Sequence, residues 1–163
     1  MKAVAEEIAT GEKVTVDISD ENYEQLKTLA KDKVSDSRLQ SYIDNMDISA
    51  DAKALIASIL KTAIKVGDLI VRVGKRIIEL VVMISVKFPN ASFGLVLGLL
   101  VGVLISAIPI IGAVLGSIAI PIAAVFGLAK GYSEDMKDQG LRRKIAEASV
   151  MFQPLNGEAH VAG

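Results

Sequence analysis

"ADAKALIASILKTAIKVGDLIVRVGKRIIELVVMISVKF", residues 50–88, sets its apolar side chains three and four positions apart. Leu55, Ile59, Ala63, Val66, Ile70, Val73 and Ile77 fall on one helical stripe. Lys61, Lys65, Asp68, Arg72, Arg76 and Glu79 fall on the opposite one. That is the spacing of a half-exposed helix. Ser49 is placed to cap it. Pro89, which has no amide hydrogen and restricts Phe88, ends it. A helix continuous through Lys87 would measure about 55 Å. Gly67 and Gly74 weaken such a helix but admit close approach by another backbone. After Glu79 the polar side vanishes in "LVVMISV", so the surroundings change there. The plain reading of the charged stripe is solvation. The sharper one is that several copies stand side by side and line an aqueous vestibule with these six residues.

Downstream, residues 88–129 contain no Asp, Glu, Lys or Arg. A membrane-spanning helix needs about 20 residues, so the block is long enough for two. Residues 91–108 read as one arm and 113–129 as the other, with a break at Pro109 and Gly112. Both arms are short and the turn between them is apolar, which fits either a full hairpin or a re-entrant one. Gly94, Gly98 and Gly102 stand four apart, as do Gly112 and Gly116. Small residues at that spacing let helices approach closely in lipid, and these five are the candidate helix-packing residues. Pro121 is placed to kink the second arm. Lys87 and Lys130 flank the block on one side, and the basic residues before it favour the cytoplasmic side of a cell inner or plasma membrane, with both termini cytoplasmic. The competing reading is a soluble bundle that holds this hairpin inside and inserts it after a trigger.

Upstream, residues 1–50 carry six Lys/Arg against eleven Asp/Glu, while residues 51–87 carry seven against three. Residues 1–48 therefore form an acidic head. In it Val14, Val16 and Ile18 alternate with Thr15 and Asp17, the period of one half-buried strand. A lone strand either pairs with a neighbouring subunit or remains extended chain. Two short helices follow, one capped by Ser19 or Asp20, the other by Ser37 with Gln40 in a capping box. Tyr23 and Tyr42 read as core residues. The head has few large apolar groups and needs the long helix or a protein partner to complete a core. The tail, residues 130–163, offers Leu141, Ile145, Ala148 and Phe152 as one face and Arg142, Arg143 and Lys144 as basic neighbours, then ends in a loose segment.

The chain of 163 residues has no cysteine, which removes disulfides, thiolate nucleophiles and Cys-ligated metals. Its first residues have no apolar run of the signal-peptide kind. The modest basic stretch lacks interleaved aromatics, which disfavours nucleic acid as a partner. No phosphate loop, dinucleotide fingerprint, zinc motif or nucleophile elbow occurs. His160 is the one histidine and stands in the tail. No enzyme, metal or cofactor is expected. The fold expected is an all-α membrane protein: an N-terminal head with one strand, a long amphipathic helix over 49–87, a transmembrane or re-entrant hairpin over 88–129, and a tail. The expected function is a homo-oligomeric pore or ion channel in the lipid bilayer. The alternatives are a membrane scaffold that recruits a cytoplasmic protein through residues 1–50, and a membrane-disrupting toxin or defence effector.

Overall fold

The computed structural model describes residues 1–31, 33–126, 138–157 and 159–161. It corrects the expected class: the fold is mixed α/β, with helices packed on a five-stranded antiparallel sheet. Strands β1 (Lys2–Glu6), β2 (Lys13–Asp17), β3 (Ile64–Val66), β4 (Leu69–Val71) and β5 (Ala159–Val161) lie in the order β4-β3-β1-β2-β5. The partners of β2 are therefore β1 and β5 of the same chain. The β1–β2 register sets Lys2 opposite Asp17 and Glu6 opposite Lys13, opposite charges at each end of the pair. Ala3, Ala5, Val14, Val16, Ile64, Val66 and Val71 line the buried face, while Lys65 and Ile70 are exposed.

The long helix expected over 49–87 is also corrected. It is three elements: α3 (Ala50–Leu60), the β3–β4 hairpin, and α4 (Val73–Lys87). The hairpin turns on Gly67 and Asp68, since Val66 pairs with Leu69. Gly67 has φ +60°, and no non-glycine residue has positive φ among the described residues. Positive φ at the first central position alone is the type II′ pattern, which suits the strand twist. The residues around it, Ile64, Val66, Ile70 and Val71, are β-branched and favour strand.

Helices α1 (Asp20–Leu29), α2 (Asp36–Asp44) and α3 start on serine caps. Ser19, Ser35 and Ser49 accept from the amides of Asn22, Arg38 and Ala52. The cap of α2 is thus Ser35 rather than Ser37. Ser92 likewise caps α5 (Phe93–Ala107). Helix α6 (Pro109–Leu115) starts at once on Pro109, whose fixed φ suits a first helical turn. A single 3₁₀ turn, Gly116–Ile118, joins it to α7 (Ala119–Phe126).

The uncharged block folds back on itself. Near its tip Gly112 lies against the Ile105 carbonyl, and at its open end Phe126 lies over Gly94. Those two contacts make α6–α7 antiparallel to α5. Helix α6 buries Ile110, Ile111, Val114 and Leu115 and packs on β1 and β2, while α7 packs on α3 and α5. Helix α8 (Gln139–Val150) lies against α4 and α5 and buries Leu141, Ile145 and Ala148, followed by buried Phe152. One continuous apolar cluster runs from Ala3 to Leu155. Leu26, Leu29, Leu39 and Ile43 of the acidic head belong to it. Tyr23 packs at its edge, but Tyr42 is 41% exposed rather than part of the core.

Candidate functional site

Two features stand out from an ordinary water-soluble surface. The first is the outer side of the hairpin. Pro109–Phe126 is a helical run of 18 residues with mean hydropathy 2.2, and a third of it is buried. Among the described residues it is the one helix long and apolar enough to cross a membrane; α5, with 15 residues, is shorter. Ala119, Ile120, Pro121, Ala123 and Ala124 are exposed on α7, Ile120 to 82%. Gly102, Val103, Ser106, Ala107 and Pro109 are exposed at the tip end. This outer side presents no charged side chain, which makes it the candidate contact surface.

The five glycines divide between inside and outside. Gly94 is buried and has no room for a Cβ, because the Phe126 ring occupies the space. Phe126 also meets Phe93, with ring centroids 6.3 Å apart. Gly112 has the Ile105 carbonyl oxygen 2.7 Å from where its Cβ would stand. Gly98 is half-buried. Gly102 and Gly116 open outward: no atom lies within 4 Å of a Cβ placed on either. Lys130, Gly127 and Ala129 lie outside the described residues.

The second feature is a charged cluster at the start of α4. The six residues expected on one vestibule stripe do not share a face. Lys61 is the C-cap of α3, Lys65 is exposed on β3, and Asp68 is in the β3–β4 turn. Arg72 is the N-cap of α4 and holds Asp36 of α2 at 2.8 Å. Arg76 and Glu79 are buried and paired at 3.3 Å. The Arg76 guanidinium also donates to the carbonyls of Thr28, Leu29 and Lys31, at 3.3, 3.2 and 2.8 Å. It thereby ties α4 to the chain at the end of α1, where the Thr28 carbonyl also accepts from the Lys31 amide, and its charge suits the negative end of that helix.

Lys75 was invisible to the stripe argument. It is 1% exposed, and its ammonium meets Asp36 at 2.7 Å. Lys75 and Arg72 together hold the Asp36 carboxyl below the usual carboxylate range, the bond from Lys75 being the larger cause. No local signal in the sequence joins Asp36 to Lys75. Around this ion cluster α2, α3 and α4 leave a cavity of about 430 Å³. No group of three His, Cys, Asp or Glu side chains placed to hold a metal occurs among the described residues. No family model, no curated protein and no solved structure matches the chain.

Proposed function

We propose that the protein is a membrane protein that meets lipid with the α5–α7 hairpin and associates there with further copies of itself. The observation that carries the reading is the 18-residue uncharged run of which only a third is buried. Facing water, that surface gains nothing; facing lipid, it has no charged side chain to desolvate, where each would cost about 2.5–3.5 kcal/mol at mid-membrane. Shallow docking by α7 alone is weak. Ile120 contributes about 1.5–3 kcal/mol on full burial, and its exposed neighbours are small. Stable binding therefore needs more of the hairpin, or several copies. Phe93 and Phe126 meet at the open end, so both flanking parts of the chain leave the hairpin together, on one face of a bilayer. We place that face on the cytoplasmic side.

A conducting assembly is the second reading, favoured by the outward-open Gly102 and Gly116, which suit close packing of one copy on another. Its water-filled part would not be lined by Arg76 and Glu79, which this fold buries.

Flotation with neutral phosphatidylcholine vesicles tests the leading reading. The full chain rises with the vesicles and resists an alkaline carbonate wash, while Ile120→Asp stays below although its folded spectrum is unchanged. Wild-type protein remaining at the bottom with neutral and anionic vesicles alike overturns it. Stepwise currents in planar bilayers separate a pore from an electrically silent scaffold.

A further inference from the structure

The uncharged run Pro109–Phe126 is broken in its middle, and the β1–β2 turn is bonded to the break. Leu115, the last residue of α6, has φ −110° and ψ −3°, away from helical values. In an unbroken α-helix the Val114 carbonyl would take the Ile118 amide; here it accepts from the Ile8 amide at 3.1 Å. Ser117, inside the 3₁₀ turn, donates its hydroxyl to one carboxylate oxygen of Glu7 at 2.8 Å. The β1–β2 turn that makes both contacts is held by its own bonds. The Glu7 amide donates to the Glu12 carbonyl, the Gly11 amide to the Glu7 carbonyl, and the second Glu7 carboxylate oxygen accepts from the amides of Ala9 and Thr10. Broken, the run is too short for a membrane: α6 with 7 residues spans about 10 Å and α7 with 8 about 12 Å. Each is less than half of a hydrocarbon core of about 30 Å. As one helix, the 18 residues would span about 27 Å.

We propose that the β1–β2 turn is a clasp that holds the hairpin in its broken form, and that a lipid bilayer opens the clasp as Pro109–Phe126 straightens into one helix and enters. The proposal rests on the hairpin being the lipid-facing element. The two states exclude each other. Ser117 stands midway along the run, so a spanning helix carries it toward the middle of the hydrocarbon. Glu7 is ionised at neutral pH, its carboxyl brought down to about 2 by the Ala9 amide first and then by the Thr10 and Ser117 hydroxyls, and an ionised carboxylate is costly at that depth. Entry therefore parts Ser117 from Glu7. The helix itself replaces what is lost: the Ser117 hydroxyl reaches the Ala113 carbonyl four residues back, and the Val114 carbonyl recovers the Ile118 amide. Helix α7 is the loosest part of the hairpin, with Ile122 its one buried residue, so it is the part that moves first.

The chain has no cysteine, so Glu7→Cys/Ser117→Cys introduces a single thiol pair, which dibromobimane joins across a short gap. Carbonate-resistant insertion of the full chain into neutral phosphatidylcholine vesicles is timed for this pair before and after joining, and for Ser117→Ala and Ser106→Ala. The joined protein stays in the carbonate-soluble fraction over the time in which the unjoined one inserts. Ser117→Ala, which loses a bond to a charged group, inserts about three-fold or more faster than wild type. Ser106→Ala gains the same apolarity at an exposed position of α5 outside the clasp and inserts at the wild-type rate. Equal rates before and after joining, or Ser117→Ala no faster than Ser106→Ala, overturn the clasp and leave the lipid-facing hairpin standing. Wild-type protein that never inserts overturns the hairpin reading and the clasp with it.

Discussion

Ser117 donates its hydroxyl to the Glu7 carboxylate at 2.8 Å across 110 positions of sequence. The bond ties the β1–β2 turn to the 3₁₀ break in the apolar hairpin. Beside it the Ile8 amide donates to the Val114 carbonyl at 3.1 Å. The amide of Ala9 is the main cause that brings the Glu7 carboxyl down to about 2, followed by the Thr10 and Ser117 hydroxyls. A carboxyl lowered from 4.5 to about 2 stabilises the fold fully above 4.5 and loses that contribution as pH falls through 2. Glu7→Gln should therefore melt at a lower temperature than wild type at pH 7, with the gap closing between those two values. Melting curves of both proteins across the acid range check this; a gap that stays constant contradicts it. Acidification to pH 5 leaves the tie intact, so mild acid does not free the hairpin by this route.

Gly67→Ala distinguishes the observed hairpin from a continuous helix by sign alone. In a helix interior, alanine is about 0.8–1 kcal/mol better than glycine. At φ +60° alanine is strained, at a cost of about 1–2 kcal/mol. Chemical denaturation should show the variant less stable than wild type. A more stable variant would restore the helix.

Arg76 is the internal cation whose removal should cost most. Arg76→Met leaves Glu79 buried without this partner and strips a donor from the carbonyls of Thr28, Leu29 and Lys31. Breaking a buried pair from one side typically costs about 3–5 kcal/mol. Arg76→Met/Glu79→Leu should recover part of that loss, since no carboxylate is then stranded. Denaturation of the two single variants and the double closes the cycle, and strictly additive losses would mean the pair is not coupled.

Much of the helical detail was legible because capping and turn chemistry are local. Ser19 and Ser49 cap where read, and the break at Pro109 separates α5 from α6. The sheet was missed for two physical reasons. Strand β1, "KAVAE", alternates, but it buries two alanines, which carry little strand signal. Between Ala63 and Val73 the apolar residues satisfy a period of 3.6 and a period of 2 together, and the period alone does not choose. "VGDL" does choose: Gly-Asp between short β-branched runs is a two-residue turn. The ion cluster lay beyond reach, because Asp36 and Lys75 meet only after α2 and α4 have packed. The five glycines were visible as a group, but which of them face inward depends on where Phe126 lands.

That division gives the last pair of variants opposite outcomes. Gly94→Ala puts a Cβ where the Phe126 ring already stands. The atoms in the way include the Phe126 Cβ and not only the far edge of its ring, so this end of α7 has to shift, and overpacking of this kind costs about 1–3 kcal/mol. Gly102→Leu meets no atom within 4 Å of its Cβ and gains helix propensity, so the monomer should be unchanged or up to about 1 kcal/mol more stable. If copies associate through the open small-residue side, the leucine holds the facing helix away. Detergent-solubilised Gly102→Leu should then sediment as a smaller particle than wild type while unfolding no more easily, and Gly94→Ala should unfold more easily. Equal particle mass for wild type and Gly102→Leu would place the contact between copies elsewhere than on this side of α5.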